Sequence, residues 1–264
     1  MLNPSNALSL KSAGPIKPNH PLFVFLPGMD GTGTLYASQT KGLSPYFDVC
    51  YLVIPPDDVS PWKSLVQQTV NLIKKERRGR PVYLCAESFG ACLALQVVAH
   101  SPELIDRLIL VNPASSFSRL PWLGWAASVA PWVSAQAYQV GTLTLLPLLA
   151  SLHRMSDESR RNLLTAMRSV TQRSAAWRMT LLTQFRLENL PLKRFHHPTL
   201  IIVGQSDRLL PSFDEAERLA RHLPNSQAHI LPLSGHACLL EQDVNLVSIL
   251  KATDMVPPVL QSVA

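Results

Sequence analysis

The chain has 264 residues, 47% of them hydrophobic, with a formal net charge of +6 and a sequence pI near 9.3. That size and apolar content suit one full domain with an inserted cap. The basic charge arrives without a helix-turn-helix, zinc-finger or RNA-binding signature, which argues against a nucleic-acid partner and fits an anionic membrane surface better.

In chain order, residues 1–20 lack the basic n-region and long apolar core of a signal peptide and read as a loose arm ahead of a domain spanning 21–264. Phe23-Val24-Phe25-Leu26 reads as a buried strand running into the loop Pro27-Gly28-Met29-Asp30-Gly31. Gly31-Thr32-Gly33 lacks the third glycine of a dinucleotide loop and the lysine of a phosphate loop, so no organic cofactor is expected. Strands are predicted near 22–26, 48–54, 81–86, 107–111, 199–204 and 227–233, alternating with helices. Such alternation implies an α/β class with a mainly parallel sheet and helices on both faces. Ser60-Pro61 reads as the N-cap and first-turn proline of a helix to about Arg78, ended by Gly79, and Ser212 with Glu215 as the capping box of a helix through His222. Cys50, Cys85, Cys92 and Cys238 show no C-x-x-C spacing and read as buried free thiols. A reducing, cytoplasmic location without secretion follows as the expectation.

Between Phe117 and Phe195 the alternation stops, and a helical lid is predicted over about 117–195. From Leu120 to Leu152 there is no charged residue or histidine, while Trp122, Trp125, Trp132 and Tyr138 recur. Pro131, Gln136, Gln139, Gly141 and Pro147 break this run into pieces too short for a membrane span. Downstream, Arg154, Arg160, Arg161, Arg168, Arg173, Arg178, Arg186, Lys193 and Arg194 face only Asp157, Glu158 and Glu188, and apolar residues recur at helical spacing. Such a basic amphipathic stretch is either a solvated helix face or a surface for anionic lipid. His196-His197 lacks further ligand-type neighbours and reads as surface loop, so no metal is expected.

The chemistry-bearing pattern is Ala86-Glu87-Ser88-Phe89-Gly90, placed between an apolar run and a helix-like stretch. It matches the G-x-S-x-G elbow with alanine for the first glycine, and puts Ser88 where a nucleophile is exposed on a sharp turn. A serine hydroxyl is a weak nucleophile without a base and an orienting acid. Asp207 follows the predicted strand 199–204 and His236 follows 227–233, so the order Ser88, Asp207, His236 is that of the α/β-hydrolase triad. Taken singly, Ser88 could be an N-cap, Asp207 a turn residue and His236 a helix start. Each sits after its own strand, which favours the triad. The oxyanion donors are assigned to the backbone N–H groups of Met29 and Phe89, with Gly28 and Gly90 as the small supporting residues.

These segments, with Val111-Asn112-Pro113-Ala114-Ser115-Ser116-Phe117, Asp207-Arg208-Leu209-Leu210-Pro211-Ser212 and Gly235-His236-Ala237-Cys238-Leu239-Leu240-Glu241, resemble the hydrolase-like part of the phytyl ester synthase and diacylglycerol acyltransferase family of plastids and cyanobacteria. That family is a branch of the α/β-hydrolases. The resemblance implies an α/β-hydrolase fold and a serine esterase or acyltransferase working through an acyl-enzyme on long-chain lipid esters, of phytyl ester or acylglycerol type. It also implies peripheral contact with an internal membrane such as the thylakoid. Two departures stand out. Positions 86 and 91 carry alanine where the family has glycine. Plant members also carry a second, acyltransferase-like domain with a His-x-x-x-x-Asp motif, whereas His100 and Asp106 here are separated by five residues rather than four and lie within the first domain. Two alternatives stay open: an acyl thioesterase, since the same triad attacks thioesters, and a non-catalytic lipid-binding protein of the same fold.

Overall fold

The computed structural model describes residues 7–129, 132–133, 141 and 146–257. The start of the N-terminal arm, and Pro131, Gln136, Tyr138 and Gln139 of the uncharged run, lie outside the described residues.

The central strands are apolar at nearly every position because both faces of the sheet are covered there. In β2 (Leu22–Leu26), Leu22, Val24 and Leu26 enter one core while Phe23 and Phe25 enter a second on the opposite face. The other parallel strands are β3 (Asp48–Val53), β4 (Val82–Glu87), β5 (Arg107–Val111), β6 (Thr199–Gly204) and β7 (Ser226–Leu231). With β1 (Ser9–Ser12) the order across the sheet is β1-β3-β2-β4-β5-β6-β7, and every pair but β1–β3 is parallel. Helices α2 (Trp62–Arg77) and α3 (Phe89–His100), and α8 (Ser212–Ala220), pack into the first core; α1 (Ala37–Leu43) and α9 (Leu246–Ala252) pack into the second. The chain is an α/β-hydrolase fold, as its sequence pattern predicts.

Between β5 and β6 lie α4 (Pro121–Val129), the single turn α5 (Leu146–Leu149), α6 (Asp157–Ser169) and α7 (Gln172–Gln184). The side chains of Ser156 and Thr171 cap α6 and α7 by accepting from Ser159 N and Ser174 N. Helix α7 packs against α4 and buries Leu181 and Leu182 in the first core. Among the described residues, no helix is long and apolar enough to cross a membrane.

Three local expectations are corrected. The segment read as a loose arm forms β1 over Ser9–Ser12, antiparallel to β3 from Ser9↔Val53 to Ser12↔Cys50, with Leu8 buried beside it. A four-residue edge strand of mixed polarity has no apolar run by which to be recognised. Ser60 does not cap α2: its Oγ donates to Asp58 and Pro61 occupies the cap position without a side-chain bond. Ser212 and Glu215 form no capping box, because both are drawn into buried polar networks: Ser212 Oγ donates to Asp207, and Glu215 accepts from Ser115 and Arg218. The four cysteines are free and buried.

Burial of Leu8 gives β1 a measurable weight. Leu8→Ala should lower the unfolding free energy by about 2 kcal/mol in urea melts. A change below about 0.5 kcal/mol, the range of neutral surface substitutions, would mean that β1 contributes nothing to stability.

Candidate active site

Strand β4 ends at Glu87 and α3 begins at Phe89, leaving Ser88 alone to turn the chain. Its φ of 52° and ψ of −115° lie where non-glycine residues are rare and strained. The surrounding backbone fixes that conformation: Ser88 N–H donates to Val111 O at 3.0 Å, and Ser88 O accepts from Ala91 N and Ala114 N, each at 3.1 Å. Behind the turn, α3 meets the end of β2. A Cβ on Gly90 would lie 2.4 Å from the carbonyl oxygens of both Leu26 and Pro27, so this position admits glycine alone. Ala86 and Ala91, where the resemblance has glycine, are fully buried. Gly28 lies beside the elbow, its would-be Cβ 3.7 Å from Ser88 Cβ. A larger side chain there would grow toward the serine.

The three predicted side chains form one hydrogen-bonded row. His236 Nε2 is 2.9 Å from Ser88 Oγ, and His236 Nδ1 is 2.7 Å from Asp207 Oδ2. A carboxylate can only accept, so Nδ1 carries the proton and Nε2 is left as the acceptor toward serine. Asp207 is held in turn: Oδ1 accepts from Leu209 N at 2.9 Å and Leu210 N at 3.0 Å, and Oδ2 accepts from Ser212 Oγ. Among the described residues, the N–H groups of Met29 and Phe89 have no intramolecular acceptor.

Asn112 was missed as a site residue, although its segment carried the resemblance. It is fully buried with φ of 40°, a conformation asparagine tolerates better than most side chains. Its Nδ2 donates to Gly235 O at 3.1 Å and His236 O at 2.6 Å, while Oδ1 accepts from Gly204 N at 2.8 Å. One amide thus ties the end of β6, which delivers Asp207, to the loop that delivers His236. On the far side of that loop, Glu241 accepts from Gly235 N at 2.9 Å and pairs with Arg154 at 2.7 Å.

The basic set predicted on the insertion is divided. Arg161, Arg168 and Arg173 are exposed, but Arg178 is 2% exposed and donates to Met29 O at 2.6 Å and Pro55 O at 2.9 Å. Arg154 is engaged by Glu241 and Asp243. Neither belongs to an outward basic face. His196 and His197 are exposed, and among the described residues no group of three or more His, Cys, Asp or Glu is arranged to hold a metal ion.

Burial pulls the His236 imidazole down, but the charge and hydrogen bond of Asp207 and the charge of Glu87 push it up, leaving it above its ordinary value. Burial pushes Asp207 up, yet His236 and the hydrogen bonds from Ser212 and Leu210 outweigh it and hold the carboxylate below its usual range. Glu87, next to the serine, is pushed up to about 7 by burial, against the opposing pull of His236 and with help from Asp30.

A family model for the serine aminopeptidase S33 group of hydrolases matches residues 58–243. The chain belongs to this family of α/β-hydrolases. It is 30% identical over 258 residues to the chloroplastic phytyl ester synthase 1 of Arabidopsis thaliana, covering 88% of this chain and 37% of that one. With phytyl ester synthase 2 of the same plant it shares 31% over 264 residues, 89% of this chain and 38% of that one. The chain therefore spans a little over a third of the length of these relatives. Among solved structures, MenH from S. aureus superposes with a TM-score of 0.75 at 17% identity, over 93% of this chain and 97% of that one, which bears on the fold alone.

The electrostatics of this α/β-hydrolase can be read directly by NMR titration of the imidazole. The His236 midpoint should lie above the reference of about 6.5. It should fall in Glu87→Gln, which removes one raising charge, and fall further in Asp207→Asn. A midpoint unmoved by either substitution would show that neither carboxylate acts on the ring.

Proposed function

We propose that this protein is a serine esterase or acyltransferase that works through an acyl-enzyme on long-chain lipid esters of the phytyl ester or acylglycerol type. The observation that carries the reading is the row Ser88–His236–Asp207 at 2.9 and 2.7 Å, with the serine on its strained elbow. His236 Nε2 takes the Ser88 proton as Oγ bonds to the acyl carbon. The carbonyl oxygen, now anionic, receives the N–H groups of Met29 and Phe89. The tetrahedral adduct collapses, the ester C–O bond breaks, and His236 returns the proton to the departing alcohol. Water or a second alcohol then attacks the acyl-enzyme by the same route in reverse, giving hydrolysis or transfer.

Two features support an apolar substrate. Two relatives that align with most of the chain are named phytyl ester synthases, and the insertion carries a charge-free stretch from Leu120 to Leu152. On it Trp122, Trp125 and Trp132 are 49%, 71% and 87% exposed. Gln172 at the start of α7 donates to Val133 O at 2.6 Å, so the helix that carries exposed Arg173 begins beside the segment that carries Trp132. Apolar rings flanked by cations suit the interface of an anionic lipid layer, where the substrate would be found. A thylakoid-type internal membrane is the corresponding location.

Ser88→Ala should abolish both ester cleavage and labelling by an alkyl fluorophosphonate while the circular dichroism stays native. Asp207→Asn should cost on the order of 10⁴ in kcat by favouring the wrong imidazole tautomer. Turnover retained in the Ser88 variant would remove the nucleophile from this account, and labelling absent in the native protein would leave a lipid-binding fold without the chemistry.

Membrane contact has a separate test in co-sedimentation with liposomes. Binding to vesicles containing phosphatidylglycerol should exceed binding to neutral ones and weaken as salt screens the charges. It should drop when Trp122 and Trp125 are changed to serine, or Arg168 and Arg173 to glutamine. Equal binding to both vesicle types would confine the insertion to covering the substrate.

A further inference from the structure

Arg178 lies on the insertion, yet two of its hydrogen bonds go to the hydrolase core, and one of these goes to the residue that supplies an oxyanion donor. Nη1 donates to Met29 O at 2.6 Å and Nη2 to Pro55 O at 2.9 Å. Residues 28–31 form a tight turn, with Gly31 N donating to Gly28 O at 3.1 Å, and the turn is fastened to the end of β3 by Ile54 N donating to Gly31 O at 2.8 Å. Room for the guanidinium is made by Gly31, whose φ is 70°: a Cβ there would sit 2.7 Å from Arg178 Nη1 and 3.0 Å from Ile54 O. The arginine and the glycine are therefore one device.

The second donor is tied to the same helix from the other side. The Trp62 ring stacks on Phe89 with centroids 4.9 Å apart and an interplanar angle of 20°, and Trp62 Nε1 donates to Leu181 O of α7 at 3.0 Å. Trp177 Nε1 adds a bond from α7 to Ser60 O at 2.9 Å, next to the start of α2. Four side-chain to backbone bonds thus register one helix of the insertion against the loop of Met29 and against Trp62, which stacks on Phe89.

From this we infer that α7 sets the oxyanion hole, with Arg178 as the positioning residue for Met29 and Trp62 as the link to Phe89. The inference rests on the serine-esterase reading and adds that the insertion takes part in assembling the site as well as covering it. A planar guanidinium presents two donors in a fixed fork, so it can set the angle of the loop as well as its distance. Lysine, a point donor, can replace one bond and not the fork.

The test separates holding the oxyanion from merely holding the fold. An alkyl trifluoromethyl ketone takes Ser88 Oγ onto its carbonyl carbon, passes the serine proton to His236 and leaves an anionic oxygen in the hole. Its affinity therefore reports the donors directly. In Arg178→Lys, kcat/KM for a long-chain p-nitrophenyl ester should fall on the order of 100-fold, the size of losing one oxyanion donor. The loss should lie in kcat, trifluoromethyl ketone affinity should fall in proportion, and the pH midpoint of His236 should stay where it is. Arg178→Met should be worse than Arg178→Lys. Trp62→Phe keeps an aromatic ring beside Phe89 while losing the bond to α7 and part of the indole, so it stays informative even if the arginine variants do not fold; there ketone affinity should drop at least about threefold, the scale of one hydrogen bond. Native ketone affinity in a folded Arg178→Lys or in Trp62→Phe, or a loss that falls wholly in KM, overturns the inference. A native protein that takes no fluorophosphonate fails at the serine-esterase reading itself, and the two failures are thereby told apart.

Discussion

The site depends first on a backbone conformation that no side chain favours. Ser88 at φ 52° and ψ −115° costs on the order of 1–3 kcal/mol. It persists because three backbone bonds and the contact of α3 with β2 at Gly90 leave the turn no alternative. The sheet that fixes it is buried on both faces, so the strain is carried by two hydrophobic cores rather than by the loop itself. Relaxing the turn would require moving α3, which is lined from Phe89 to Val98 almost wholly by buried residues.

What the sequence reveals and what it hides divide along a physical line. The central strands β2 to β6, buried on both faces, announce themselves as apolar runs, and the predicted bounds agree with β2 to β7 within two residues at each end. The Ser88, Asp207 and His236 positions were legible because each follows such a strand, and parallel strands deliver their next residues to one edge of the sheet. Hidden were the groups whose partners are far off in the chain and whose role is a bond to backbone. Arg178 reaches Met29 across 149 positions, and Asn112 reaches His236 across 124. No local pattern records such a bond: an arginine in an amphipathic helix looks the same whether it faces water or a carbonyl. Ser60 and Ser212 failed for a related reason, since a hydroxyl near a helix start takes whichever acceptor the fold brings closest.

The insertion consequently has two kinds of charge. Cations that point outward, such as Arg161, Arg168 and Arg173, meet the requirements of a surface and can be exchanged at small cost. Cations that point inward are part of the core's geometry. Arg154 pairs with Glu241 and so fastens the segment after α5 to the loop that carries His236, while Arg178 fastens α7 to the loop that carries Met29. The loops that carry His236 and Met29 are each anchored by an arginine contributed from outside the sheet. Replacing the insertion wholesale would remove both anchors, even with every residue of the Ser88–His236–Asp207 row left in place.

The buried thiols have a practical bearing of another kind. Cys50, Cys85, Cys92 and Cys238 are all shielded from solvent, and burial pushes each thiol up, Cys50 to about 12, so thiolate is scarce at neutral pH. To a maleimide, the native surface is blank. A cysteine placed at an exposed helix position such as 173 would then take a spin label or a fluorophore without competition and without first stripping the natural thiols from the cores. The molecule comes ready for a spectroscopic ruler between its insertion and its sheet.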